Sequence, residues 1–507
     1  MKQKSIKLNF VMNSFLSISN FIFPIITFPY ISRILTPVGT GKVSTATSVI
    51  AYFNIFAQLG IPTYGVRACA QVRDNREELT RTAHELLMIN LIMSAFMYLL
   101  LIPAILFVPV LRDEKPLYVI TSSTILLTSI GMEWLYKALE QYTYITVRSV
   151  IFKIIAMVFM FLLIHEQSDY VIYGAIAIFA SSASNILNFI NVRKIIDLKP
   201  VGGYHMSRHL KCVGIFLAMS CATTVYTNLD TVMLRIMTGD EEVGLYNAAV
   251  KIKTVLLSIV TSLGTVLLPR VSYYIENRMM DDFKRVTAKA LNFVTVLAGG
   301  ATVYFILMAK AGVLLISGEA YSGSVLPMQL IMPTVFLIGI SNILGIQMLV
   351  PMGKEKTVLW AEIGGAVIDL VINTLLIPKM RSAGASVGTL VAELFVTAFL
   401  FIYLREDLKG VIQKIGFFKI ALSIVLATAA TIGANLLTDR FLINVLLAGS
   451  RHLNFLTKTV EGRSFVELAV SFIVFCLFYL GMLILLRESL TIELIEEFKL
   501  KLRRKKS

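Results

Sequence analysis

Six cations lie where they could hold an anion within a membrane: Arg33, Lys42, Lys153, Arg235, Lys251 and Lys253. Each sits in, or at the edge of, a long apolar run. A charge placed in hydrocarbon costs roughly 2.5–3.5 kcal/mol on insertion scales, so it normally faces a partner or a watery cavity. Arginine can grip a phosphate through two nitrogens, while lysine acts as a point charge. A cavity lined by such residues would suit a ligand bearing phosphates. Arg33, Lys42 and Arg235 fall near helix ends, where snorkelling to lipid headgroups is an equal reading. Lys251 and Lys253 lie too deep for that. Two residues apart, they cannot share one helix face, so at most one is expected to face a cavity and the other to pair with an acid such as Asp230. Lys153 lies well inside its own run.

A second constellation supplies oxygens. Asp369 falls near the middle of one apolar run, with Asn373 one turn later on the same face, and Glu393 falls near the middle of the next. With Asp230 they form a candidate ion-coupling set, and Asp230, Asp369 and Asn373 a candidate Na⁺ site. A hard cation wants oxygen ligands, and a buried carboxylate gains proton affinity, so Na⁺ or H⁺ would serve. Acid–amide or acid–lysine pairing between helices is the structural alternative. Glu133, beside Trp134 and Lys137, reads as interfacial, as do the aromatics Trp134 and Trp360.

These residues need elements that carry them across a bilayer. Hydrophobic residues make up 56% of the 507, and charged residues only 16%. A soluble chain of this length would need far more polar surface, so the composition implies a polytopic membrane protein. The four cysteines are scattered, with no CxxC pair, and point to packing rather than to zinc or a disulfide framework. The basic N-terminus leads into an uncleaved first span.

Taking about 20 apolar residues per crossing gives about fourteen candidate spans. They lie near 10–32, 43–62, 84–110, 117–137, 144–164, 170–190, 213–237, 244–268, 288–309, 325–350, 357–378, 384–404, 415–437 and 464–486. The stretch 311–324 reads as an external loop or re-entrant turn. The net charge of +15 is concentrated in loops that fall on one side, which places both termini in the cytoplasm. The basic tail is a topology signal and lipid contact rather than a nucleic-acid site. Pro24, Pro29, Pro333 and Pro351 are expected to bend spans, and SAGASVG at 382–388 to allow close helix packing through Gly384 and Gly388.

Part of the pattern repeats. RILTPVGTG (Arg33–Gly41) matches RIMTGDEEVG (Arg235–Gly244), and LGIP (Leu59–Pro62) matches LGTVLLP (Leu263–Pro269). Six spans separate the copies, which makes the repeat parallel, with an axis along the membrane normal. The expected fold class is therefore an all-α polytopic membrane protein with two pseudo-symmetric six-helix lobes. Residues 1–212 would form the N-terminal lobe and 213–410 the C-terminal lobe, with a trailing pair of spans and a basic cytoplasmic tail in 411–507. Two lobes rocking about a central site is a transporter design.

The stretches FPYISRILTPVGTGKVSTATSVIAYFNIFAQLGIPTYGVRACAQVRDN, YTNLDTVMLRIMTGDEEVGLYNAAVKI, LGTVLLPRVS and IPKMRSAGASVGTLVAELF resemble the Wzx-type polysaccharide flippases. These belong to the polysaccharide-transport branch of the multidrug/oligosaccharidyl-lipid/polysaccharide superfamily. The resemblance covers about residues 9–405. It implies flipping of undecaprenyl-diphosphate-linked oligosaccharide from cytoplasmic to outer leaflet of a bacterial plasma membrane, by alternating access coupled to Na⁺ or H⁺. It further implies a sodium site among spans seven, eleven and twelve, although Asp369 and Asn373 stand here in the reverse order. No other cofactor is expected. The partners expected are the lipid-linked oligosaccharide, membrane lipids, a glycan polymerase and other assembly proteins, with the chain working as a monomer. Rival readings are a multidrug exporter of the same superfamily, for which the basic lining is wrong, and a lipid II flippase. A membrane glycan polymerase or transferase is disfavoured, because the largest outward segment (438–463) has no paired carboxylates or metal cluster.

Overall fold

A computed structural model describes residues 6–447, 459–493 and 495–496. The basic tail and the centre of the 438–463 segment, with His452, lie outside the described residues. All regular structure among those described is helical. The chain divides into two compact units, Met1–Gly244 and Leu245–Ser507.

The first unit contains α1 (Ile6–Gln58), α2 (Ile61–Gln71), α3 (Arg76–Phe107), α4 (Pro109–Arg112), α5 (Lys115–Gly131), α6 (Glu133–Ala138), α7 (Tyr142–Leu163), α8 (Tyr170–Ile178), α9 (Asn185–Asn191) and α10 (Ser207–Met237). α1 is its axis, packed by α3, α5, α7 and α10. It is two helices in line, broken at Thr36 (φ 58°, ψ 177°). Thr36 precedes Pro37, whose ring disfavours the helical conformation of the residue before it. Ile31, Leu35, Ala156, Met160 and Ile176 bury one side of the first arm. Val43, Ala46, Ile50 and Ala57, spaced for one helix face, pack the second arm on α3 and α5.

The second unit contains most of α11 (Asp240–Glu276), then α12 (Met280–Leu307), α13 (Ala309–Ser317), α14 (Val325–Ile331), α15 (Pro333–Asn342), α16 (Glu355–Tyr403), α17 (Phe417–Leu447) and α18 (Val460–Leu485). α17 and α18 pack side by side. Tyrosines close the α12–α18 seam: Tyr304 donates to the carbonyl of Leu468 (3.1 Å), and Tyr479 to that of Val296 (2.7 Å). Glu488 caps the turn after α18. Burial pushes its carboxyl up, but donation from the backbone of Leu490, the Asn292 amide and Thr491 outweighs burial and holds it below the usual carboxylate range.

Nine helical stretches among the described residues are long and apolar enough to cross a membrane, or up to eleven if each of two sharply bent pairs is one span. Phe15–Gln71 and Glu355–Tyr403 hold two arms apiece, because the chain breaks at Thr36 and again at Arg381 (φ 52°). The polytopic, all-helical class is thus as expected, and exposed Leu99, Phe107, Leu162 and Phe418 give it a lipid-facing exterior. Several local readings change. Residues 311–317 of the supposed loop belong to α13, which ends at Gly318 (φ 88°), since a short apolar segment needs only a glycine terminator to close a helix. LGIP forms a turn through left-handed Leu59 and Gly60, whereas its repeat LGTVLLP stays inside α11. Pro333 does mark a bend, of 42°. Trp134 is enclosed by protein and does not face lipid: it is 3% exposed and packs against Gly65, where a Cβ would collide with the indole. Packing divides the chain after Gly244 because α10 lies against α1 and α2. This is a different division from the one by repeat.

Candidate functional site

The basic residues of the first unit occupy separate levels. Lys153 on α7 is 8% exposed and donates to Ser19 Oγ (2.9 Å) and to Asn20 Oδ1 of α1, with the Phe23 ring below. An ammonium this buried needs such oxygens to offset lost hydration. Arg33 lies beyond it, exposed, with its guanidinium on the Pro29 carbonyl. Past the break, Lys42 forms an ion pair with Glu114 (2.6 Å) and sits 4.5 Å over the Tyr170 ring. The Tyr170 hydroxyl donates to the same carboxylate (2.7 Å). Arg235 pairs across its own turn with Asp240 (2.8 Å), and Asp240 also feels Lys42 and Glu114. Lys42 and Arg235 thus belong to one network of alternating charge at the repeated turns.

Glycine brings those turns together. A Cβ on Gly41 would fall on the carbonyl of Asp240, and one on Gly244 would fall on the carbonyl of Pro37. The two repeat copies therefore touch backbone to backbone, each through the glycine that ends its motif. Asp230 is buried on α10 within electrostatic reach of Tyr52.

In the second unit Lys251 and Lys253 are both half-buried on α11, flanking the buried Ile252. Asp369 and Asn373 are buried on the first arm of α16, and Glu393 on the second, as far beyond the break at Arg381 as Asp369 lies before it. The arms pack through small residues. A Cβ on Gly384 would strike the backbone at Leu376–Ile377, and one on Gly388 would overlap Asn373 Oδ1 and press on Asp369 Oδ1. Gly388 is thus the floor of a cradle holding a carboxylate and an amide oxygen. That oxygen set suits Na⁺ or a proton on Asp369. Among the described residues no group of three or more His, Cys, Asp or Glu could hold a metal ion.

Two buried ionic clusters, centred on Arg148 and on Glu85, were not read from sequence. Arg148, 3% exposed at its side chain, donates to Ser184 O (2.7 Å) and Asn185 Oδ1 and lies 3.4 Å from Glu133. Glu133 also pairs with Lys137 (2.8 Å) and so serves as a structural bridge. Glu85, fully buried, accepts from the His205 backbone (2.6 Å), Arg208 (2.7 Å) and His209 (2.7 Å), and the other ring nitrogen of His209 meets Tyr64 (2.7 Å). Partners more than a hundred residues away leave no local sequence signal. Glu85→Ala should cost about 3 kcal/mol, the low end for a broken buried pair because Arg208 is 41% exposed. Thermal unfolding in detergent, followed by gel filtration, measures this; an unchanged midpoint would refute it.

Comparison with known proteins gives this geometry a family. A "Putative O-antigen transporter" of Escherichia coli (strain K12) is 23% identical over 413 residues, covering 80% of this chain and 97% of the relative. One of Shigella dysenteriae with the same name is 23% identical over 416 residues, covering 78% and 98%. Among solved structures, the lipid II flippase MurJ in an inward closed conformation matches with a TM-score of 0.66 at 14% identity, over 93% of this chain and 99% of that one. An inward-facing MATE family multidrug resistance transporter of the MOP superfamily matches at 0.61 and 14% identity, over 77% and 95%. The fold is therefore shared with these transporters. The relatives are transporters or flippases by name rather than enzymes, in line with the reading of this chain as a non-enzyme. The model of the family described as polysaccharide biosynthesis protein matches residues 6–275, more than half the chain; the chain belongs to that family, as its resemblance to the Wzx-type flippases implied.

Proposed function

We propose that the chain flips oligosaccharide repeat units linked to undecaprenyl diphosphate from the cytoplasmic to the outer leaflet of the bacterial plasma membrane. The product would feed assembly of a surface polysaccharide such as capsule or O-antigen. The observation that carries this reading is the pair Lys251 and Lys253, half-buried inside an apolar helix of a polysaccharide biosynthesis family member. Cations held at that depth face a partner or a watery cavity and mark substrate pathways, and a lipid diphosphate would supply the anion that such a pathway carries. The names of the curated relatives and the MurJ-like fold point the same way.

So read, the chain makes the fourteen crossings expected from sequence, with each broken long helix serving as two spans, each bent pair as one and α5 as one more. On this reading lobes 1–212 and 213–410 alternate access, with 411–507 trailing and both termini cytoplasmic. The Lys42–Glu114 and Arg235–Asp240 pairs act as a latch at the outer turns. Lys153, Arg33 and one of Lys251 and Lys253 are then the candidate phosphate contacts. Asp369 and Asn373 would hold the coupling Na⁺, or Asp369 the coupling proton, with Glu393 and Asp230 as further members of that set. A monomer holds both lobes and so a whole pathway; glycan polymerase is the expected neighbour.

Lys251→Ala and Lys253→Ala, made separately in a strain lacking this chain, test the reading. Loss of one charge-assisted contact is worth about 1.5–3 kcal/mol, or roughly 10- to 100-fold. One variant should cut surface polysaccharide by that factor and strand precursor in the inner leaflet. Normal export by both would move the phosphate site to Lys153, Arg33 and Arg235. An unchanged precursor distribution in the deletion strain would end the glycan-flippase reading in favour of a drug exporter. A change confined to lipid II would reassign the substrate.

A further inference from the structure

The first unit holds a cavity that neither charged constellation uses. Its volume is about 500 Å³, within the range of small-ligand sites. One wall is the second arm of α1, where Asn54 and Gln58 stand one turn apart on a face shared with Ala51 and Ile55. The opposite wall is α10, where Ser220, Thr223 and Thr224 follow Phe216 at helical spacing, and Thr63 at the start of α2 adds another hydroxyl. None of the lining residues is charged. Gly60, with φ +71°, closes one end: a Cβ there would strike the backbone of Phe216 and Leu217.

Hydrogen bonds behind the wall set the two amides in opposite senses. Gln58 donates its nitrogen to Ser129 Oγ (2.8 Å), which leaves its carbonyl oxygen for the cavity. Asn54 accepts from Thr128 Oγ1 (3.0 Å) through its oxygen, which leaves its nitrogen. Ser129 is itself bonded to Ser94 (2.7 Å), so the support is fixed on α3 and α5. An acceptor and a donor thus stand one turn apart, facing three hydroxyls and an aromatic ring.

Phosphate would need cations, a metal ion would need carboxylates, and a lipid tail would leave the amides and hydroxyls without partners. A sugar ring meets all the conditions. Its hydroxyls donate and accept together along the ring edge, and its C–H faces are apolar enough to lie on Phe216. We propose that this cavity is a carbohydrate subsite, which takes a neutral sugar of the transported glycan between Asn54, Gln58 and the α10 hydroxyls. This rests on the lipid-linked oligosaccharide reading and adds to it where the glycan, as opposed to the diphosphate, is recognised.

The test uses the full chain in nanodiscs carrying Thr224→Cys, with maleimide labelling scored above that of the four native cysteines. The probes are the host's undecaprenyl-diphosphate-linked oligosaccharide and undecaprenyl diphosphate without sugar. The sugar-bearing lipid should protect the new cysteine, and the sugar-free lipid should not. Gln58→Leu should weaken protection about tenfold, the worth of one lost hydrogen bond, in protein that still elutes as a folded species on gel filtration. Equal protection by both lipids would make the cavity a lipid groove and overturn the proposal, as would protection indifferent to Gln58→Leu. Cells separate this from the wider function. Export that survives deletion of the chain sinks the flippase reading, whereas export that needs the chain but is normal with both Asn54→Leu and Gln58→Leu sinks the sugar subsite alone.

Discussion

Gly244→Val should reduce surface polysaccharide to the level of a deletion strain while the protein is still made and inserted. The added Cβ has nowhere to go, because its obstacle is the carbonyl of Pro37, a backbone atom that no rotamer can move aside. Overpacking of this kind costs typically 1–3 kcal/mol, and a penalty of about 3 kcal/mol on one conformation shifts its population roughly a hundredfold. The penalty falls on the state in which the two repeated turns touch, so a transporter that must both form and part this contact would stall with it parted. Gly41→Val, reaching the Asp240 carbonyl from the other side, should do the same. Alongside export, the measurement is maleimide reactivity of Thr238→Cys from outside the cell, which should rise in both glycine variants. Normal export together with unchanged reactivity would show that the contact is not part of the cycle.

The second large effect is expected at the cradle in α16. Asp369→Asn keeps the shape and removes the charge, so it should lower flipping 10- to 100-fold, in keeping with the roughly 1.5–3 kcal/mol of a charge-assisted interaction. Gly388→Ala keeps the charge and fills the floor, which forces Asn373 and Asp369 off their positions. It should raise the Na⁺ or H⁺ concentration needed for half-maximal flipping. Gly384→Ala, whose Cβ would meet only helix backbone at Leu376–Ile377, should lower thermal stability without that shift in ion dependence. Flipping in proteoliposomes under separate Na⁺ and pH gradients decides between the ions. Full activity of Asp369→Asn and Gly388→Ala under both gradients would leave the acid–amide set a helix-packing device.

Long apolar runs made the helices legible from sequence, because a bilayer demands continuous apolar length and leaves little ambiguity. The break before Pro333 was also readable. The inward packing of Gly384 and Gly388 was readable too, since small residues four apart imply helix contact. The pairing of the cations was harder. Lys42 meets Glu114 and Tyr170, which are far along the chain, and nothing local to Lys42 predicts either. Arg235 could have been paired with Asp240, since the acid lies one turn away in TGDEE, but a basic cavity was the stronger expectation there. The stripe Asn54, Gln58, Ser220, Thr223, Thr224 was overlooked because amides and hydroxyls barely disturb the hydropathy of a span. The enclosure of Trp134 was not readable, because the space that receives its indole is left by Gly65, far along the chain.

The chain's two tryptophans have a spectroscopic consequence. Trp134 is enclosed in the first unit, and Trp360, 66% exposed on α16, belongs to the second. Each unit thus carries a single tryptophan, one shielded and one open to the surroundings, and excitation at the red edge selects them over the tyrosines. Brominated lipids can darken Trp360 while leaving Trp134 bright, so the emission of the unmodified chain can be resolved unit by unit. A turnover experiment could then follow either half in real time without a foreign dye.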